Sequence, residues 1–77
     1  MAHNVIVYSK SDCIFCQLAE QYLHAKRVDF VEYEVNTHPQ EWEEAKRLSG
    51  QDHLPVIIID NKIIVGLNFF ALEEALK

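Results

Sequence analysis

Two cysteines separated by two residues are the side chains of this sequence best suited to chemistry. Cys13 and Cys16 follow a polar stretch and open an amphipathic segment. Residues three apart share one face of a helix, so the two sulfurs can reach bonding distance. The free N–H groups of a first helical turn carry about half a positive charge and favour a thiolate. The pattern therefore predicts thiol–disulfide exchange, with the pKa of Cys13 below the free-thiol value of about 8.5.

The two cysteines are expected to have different roles in such an exchange. Cys13 attacks a disulfide of the target and forms a mixed disulfide, which Cys16 then attacks to release the reduced target. We expect Cys16 to be less exposed than Cys13, because an exposed Cys16 would compete as the first attacker. Lys10 is a further cation that favours the thiolate, whereas Asp12 opposes it.

Metal binding is the alternative from another class, because zinc sites also use a C-x-x-C pair. A closed zinc site needs four ligands, and the sequence has no second such pair. The additional candidates are four separate histidines, which are His3, His24, His38 and His53. A structural disulfide is disfavoured, since a loop this short stabilises weakly. Redox chemistry is the preferred interpretation, and we assign no metal ligand and no cofactor.

Composition limits the classes of protein and partner. The 77 residues are enough for one compact domain, taken as 1–77, and 49% of them are hydrophobic. The net charge of −5 and the lack of a basic cluster argue against nucleic acid and anionic membranes as partners. We find neither a signal peptide nor an apolar run of roughly 20 residues. We therefore expect a monomer in the cytoplasm.

The elements that must position the cysteines alternate between β-branched runs and amphipathic segments. Apolar or alternating runs predict strands at 4–8, 31–35, 56–59 and 62–65. Helical spacing predicts helices at about 14–27, at 37–49 and after residue 68. The order β-α-β-α-β-β-α predicts an α/β fold with a four-stranded mixed sheet flanked by helices.

Helix ends and core residues are also predicted. Ser11 or Asp12 is expected to cap the first helix, Thr37 the second and Asn68 the third. The pair 26–27 is expected in the last turn of the first helix, and 60–61 in a tight hairpin. Large apolar side chains are expected in the core, among them Tyr33, Trp42, Phe70 and Leu72.

Three landmarks follow one another along the chain: residues 7–10 ahead of the cysteines, Leu54-Pro55 ahead of a strand, and Val65-Gly66. Together they resemble the glutaredoxin family, and especially its short glutaredoxin-like redoxins of the NrdH-redoxin type in bacteria and archaea. The resemblance implies a thioredoxin-like fold, a nucleophilic Cys13 and a resolving Cys16. It also implies a cis bond at Pro55 and a Leu54 backbone that pairs with the bound substrate. From the residues alone, the ordinary interpretation of Pro55 is a trans proline that opens an edge strand, and a cis bond is not justified without the resemblance.

Two departures from the family pattern bear on the partners. Ile14 and Phe15 stand where dithiol glutaredoxins usually have Pro-Tyr, and they could contribute to an exposed docking patch. Asn68-Phe69 stands where the family has an acidic pair that helps hold glutathione, and Val65 replaces a glycine. The candidate substrate-binding residues are Lys10, Ile14, Phe15, Leu54, Pro55, Gly66 and Asn68.

Because the acidic pair that helps hold glutathione is missing and Val65 replaces a glycine, thioredoxin reductase is favoured over glutathione as the electron source. We expect thioredoxin reductase to recharge the cysteine pair, which then reduces protein disulfides. Ribonucleotide reductase is the best-known client of the family that this sequence resembles. The alternatives are a glutathione-dependent glutaredoxin and a metal- or iron–sulfur-binding module with glutathione as co-ligand.

Overall fold

Four strands form one mixed sheet in the computed structural model, which describes residues 3–77. The strands are β1 (Val5–Ser9), β2 (Val31–Glu34), β3 (Val56–Ile59) and β4 (Lys62–Val65). Their spatial order is β2-β1-β3-β4, with β1 parallel to β2 and antiparallel to β3, and β3 antiparallel to β4. The two strands of the hairpin, β3 and β4, confirm the sequence prediction to the residue.

Three helices connect and cover these strands: α1 (Ile14–Ala25), α2 (Pro39–Ser49) and α3 (Phe69–Ala75). The element order β-α-β-α-β-β-α and the mixed sheet confirm the predicted α/β, thioredoxin-like class. Within residues 3–77, no helix is both long and apolar enough to cross a membrane.

The side chains of successive strand residues point to opposite faces of the sheet, and each face buries its own apolar cluster. The larger cluster joins α1 and α3 to one face; it contains Val5, Val7, Ala19, Leu23, Ile57, Ile59, Ile64, Leu72 and Ala75. The smaller cluster lies on the other face, where Ala45 of α2 packs with Tyr8, Val35 and Val56. Helices therefore cover both faces of the sheet, and this packing holds in place the strand ends next to the cysteine loop.

Helix ends and one core prediction need correction. The second helix begins after His38, not after Thr37, because the Thr37 hydroxyl donates to the Glu34 carbonyl (3.1 Å) and is used in a turn. The first helix ends at Ala25, and Arg27 lies beyond it with φ 58°. Phe70 is not in the core but 77% exposed. At 100° per residue, it projects away from the face that buries Leu72.

Other local predictions are confirmed. Asn68 caps α3, since its Oδ1 accepts the Ala71 N–H at 3.0 Å. Gly50 ends α2 in the left-handed conformation (φ 71°), which glycine adopts without steric cost. Asp60 turns the hairpin with φ 56°. Leu72 is fully buried, whereas Leu48 in the last turn of α2 remains half-exposed.

Candidate active site

Cys13 and Cys16 form a disulfide at the start of α1. Their Cα atoms are 5.2 Å apart, a usual separation for such a bond. Cys13 is itself the N-cap residue: its backbone is extended, and its Sγ accepts the Cys16 N–H at 3.1 Å. The predicted cap at Ser11 or Asp12 is therefore wrong. Both residues lie in a turn closed by the Cys13 N–H, which donates to the Lys10 carbonyl (3.1 Å).

The two sulfur-bearing residues differ in accessibility. Cys16 is 1% exposed, whereas Cys13 is partly exposed at the helix start. This order agrees with the expectation from the sequence. An incoming disulfide can reach Cys13 directly, while Cys16 can be reached only from within the site.

The sheet register brings the three sequence landmarks to the same end of the sheet. Tyr8 of β1 pairs with Val56 of β3, which places Pro55 beside the end of β1 where the cysteine loop begins. Val56 also pairs with Val65 of β4, and the Gly66 N–H donates to the Pro55 carbonyl at 2.8 Å. The Leu54–Pro55 bond is cis, as the resemblance implies. Antiparallel pairing of β3 with both neighbours therefore gathers these segments near the disulfide.

The candidate substrate-binding residues differ in how exposed they are to solvent. Ile14 and Phe15 are 61% and 55% exposed beside Cys13, and Lys10 is exposed in the preceding loop. Pro55 is fully buried, while Leu54 before it is partly buried against the smaller cluster.

The residues after β4 take up positions that bear on ligand binding. Gly66 adopts φ 82°, a left-handed conformation that favours glycine. The side-chain oxygen of Asn68 is already occupied as the cap of α3. The half-exposed Phe69 ring packs on Tyr22, with ring centroids 5.1 Å apart. An aromatic contact thus occupies the place of the family's acidic pair.

A cavity below Cys16 was not anticipated from the sequence. It has a volume of about 280 Å³ and is lined by Ser9, Lys10, Ser11, Cys16, Gln17, Glu20, Glu32 and Glu34. The spacing of Cys16 and Glu20 on one helix face was the available signal. Glu32 comes from β2, and only the folded sheet brings it to Glu20.

Glu20 and Glu32, two of the three acids that line this cavity, hold their protons differently. Burial, followed by the hydrogen bond to Glu32 and the charge of Glu32, raises the pKa of Glu20 to about 8. The hydrogen bond from Glu20 and then that from the Ser9 hydroxyl (2.6 Å) lower the pKa of Glu32. At neutral pH, Glu20 is therefore mostly protonated and Glu32 is ionised, and the ionised fraction of Glu20 grows as the pH approaches 8. Among residues 3–77, no group of three or more His, Cys, Asp or Glu side chains is arranged to hold a metal ion.

The fold and the disulfide at a helix N-terminus define a thioredoxin-like redox protein. The fold is similar to that of the glutaredoxin-like protein NrdH-redoxin from Escherichia coli, with a TM-score of 0.83, 24% identity and 92% of each chain covered. The glutaredoxin family model matches residues 5–64. The chain belongs to the glutaredoxin family, whose members are thiol–disulfide oxidoreductases that act on protein disulfides with a reductant.

Relatives of similar length support this assignment. The chain is 38% identical over 71 residues to an uncharacterized glutaredoxin-like 8.6 kDa protein in the rubredoxin operon of Clostridium pasteurianum, covering 92% of this chain and 95% of that protein. It is 34% identical over 71 residues to glutaredoxin 3 of Escherichia coli strain K12, covering 91% of this chain and 86% of that protein. The similarity thus extends over nearly the whole of both relatives.

Proposed function

We propose that this oxidoreductase reduces protein disulfides with Cys13 as the attacking thiolate and Cys16 as the resolving thiol. The difference in exposure between the two cysteines carries the assignment. The Cys16 N–H, directed at the Cys13 sulfur, favours a thiolate there in the reduced protein. Cys13 first bonds to one client sulfur and the other leaves as a thiolate. Cys16 then bonds to Cys13, and the first client sulfur leaves.

The client binds at the sheet end beside Cys13. The backbone of Leu54, next to the buried Pro55, pairs with an extended client segment in the manner of an added strand. Ile14 and Phe15 supply apolar contact area, which their exposure supports. Lys10, Gly66 and Asn68 border the same end of the sheet and complete the binding surface.

The electron source is thioredoxin reductase rather than glutathione. Asn68 uses its oxygen to cap α3 and Phe69 packs on Tyr22, so neither supplies the carboxylate that the family uses for glutathione. The NrdH-redoxin with the similar fold is described as having a thioredoxin-like activity profile. Ribonucleotide reductase is the proposed client. The single domain over 1–77, the monomeric state and the cytoplasmic location stay predictions.

The electron source is tested by the consumption of NADPH. Oxidised protein with thioredoxin reductase should turn over, while glutathione with glutathione reductase should support a rate lower by about tenfold or more. A tenfold rate difference corresponds to about 1.4 kcal/mol, no more than the loss of one hydrogen bond to a charged group, worth about 1.5–3 kcal/mol. Restoring the acidic pair in the double variant Asn68→Asp, Phe69→Asp should raise the glutathione-dependent rate.

Phe70→Asp provides the matched control, because it adds one charge at an exposed position next to the proposed anchor. It should leave both rates close to those of the parent. Faster turnover with glutathione than with thioredoxin reductase in the parent protein would contradict the proposed electron source.

A further inference from the structure

The exchange mechanism gives no role to the partly buried Glu20, one turn beyond Cys16. The Oε2 atom of Glu20 is shielded from solvent, and no hydrogen-bond donor among residues 3–77 reaches it. A buried carboxylate oxygen without a donor is costly. As a carboxylic acid, Glu20 instead donates to Glu32, whose other support is the Ser9 hydroxyl. Glu20 and Glu32 therefore share one proton in the cavity that Cys16 also lines.

The cavity connects this proton to Cys16. Its volume of about 280 Å³ admits water, and Cys16 and Glu20 both line it. Cys16 is 1% exposed, so the route for its thiol proton is the cavity that it lines together with Glu20. A carboxylate in the same cavity can receive that proton through a water molecule.

We propose that Glu20 accepts the proton of the Cys16 thiol when Cys16 attacks the mixed disulfide. The proposal rests on the resolving role of Cys16 proposed above. The step starts from the ionised form of Glu20: the Cys16 proton passes through cavity water to the Glu20 carboxylate, and the Cys16 sulfur bonds to Cys13. The bond between Cys13 and the client breaks, and the client sulfur leaves as a thiolate that takes a proton from solvent. The client gains two electrons, which the cysteine pair supplies on forming its disulfide.

Several other charged or titratable side chains line the two cavities beside Glu20. Glu32 and Glu34 from β2 and Lys10 from the β1–α1 loop line the same cavity. On the other side, His24 of α1 and Asp29 of the following loop line an adjoining cavity of about 350 Å³ with Glu20. The pKa of Glu20, raised to about 8, lies close to that of an ordinary thiol. A base is most effective when its pKa is near the working pH.

The test separates the two steps of a single turnover. Reduced protein is mixed with a fluorogenic peptide disulfide in a stopped-flow instrument, and mixed-disulfide formation and peptide release are followed separately. Glu20→Gln should leave formation within about twofold and slow release by on the order of 10²-fold at pH 8 and above, where Glu20 of the parent is largely ionised. In the parent, release should accelerate as the pH rises through about 8, because Glu20 becomes ionised there. Glu20→Gln should lack that inflection.

Two further variants complete the experiment. Glu32→Gln removes a hydrogen bond and a charge that both raise the pKa of Glu20, so the inflection should move to lower pH. Glu43→Gln, exposed on α2 and paired with Lys46, should match the parent in both steps. A carboxyl infrared band titrating near pH 8 should be present in the parent and absent in Glu20→Gln.

The outcomes distinguish this inference from the function on which it rests. Release at the parent rate and with the parent pH profile in Glu20→Gln would overturn the role of Glu20 and leave the cysteine roles intact. A mixed disulfide formed on Cys16 would overturn the cysteine roles themselves. If Glu20→Gln did not fold, an unchanged inflection in Glu32→Gln would still refute the proposal.

Discussion

Replacing Cys13 by serine is expected to lower the rate of protein disulfide reduction by more than about 10³-fold, as for other enzymes that lose their nucleophile. A hydroxyl at the helix start is not ionised near neutral pH and cannot displace a sulfur. Cys16 cannot take over the attack, because it is 1% exposed and lies behind the first turn of α1. The measurement is insulin disulfide reduction at fixed dithiothreitol, corrected for the reaction without protein.

Ser11→Ala is the matched control for this loss, since Ser11 lies exposed in the same turn and carries no thiol. It should retain the parent rate within about twofold. Residual activity in Cys13→Ser above about a tenth of the parent rate would show that Cys16 attacks on its own.

Truncating Leu23 to alanine should lower the free energy of unfolding by about 2–5 kcal/mol. Leu23 is fully buried where α1 packs on the sheet, so the change removes apolar contact and leaves a cavity. Small domains are stable by only about 5–15 kcal/mol in all. The variant should therefore lose a large part of its stability. Urea unfolding followed by circular dichroism measures the difference.

Leu48→Ala makes the same change at a half-exposed position in the last turn of α2. It should cost less than about 1 kcal/mol, because little of the side chain is removed from water in the folded state. Equal losses in the two variants would contradict the assignment of the core to the α1–sheet interface.

The strands were easier to predict than the helix ends, for a physical reason. Short β-branched runs between polar residues indicate strands directly, and β3 and β4 lie where that pattern predicts. Helix caps depend on which neighbouring atom is free to bond. Thr37 has the composition of a cap but donates to Glu34, and Cys13 caps α1 with its sulfur. Tertiary packing similarly leaves Phe70 exposed, although it is apolar.

The site was predictable where it depends on local spacing. The C-x-x-C pair fixes the disulfide on one helical turn, and the order of exposure follows from the position at a helix start. The contact between Glu20 and Glu32 could not be predicted in this way. These acids meet only after β2 has paired in parallel with β1 and α1 has packed over the sheet.

Trapping the mixed disulfide tests the central claim most directly. In Cys16→Ser, attack by Cys13 cannot be resolved, so the client should stay covalently attached. Peptide mass spectrometry of this variant after reaction with oxidised insulin should find the client cysteine bonded to Cys13, and Cys13→Ser should yield no comparable adduct. An adduct on Cys16 in Cys13→Ser, formed as fast as that on Cys13, would contradict the account.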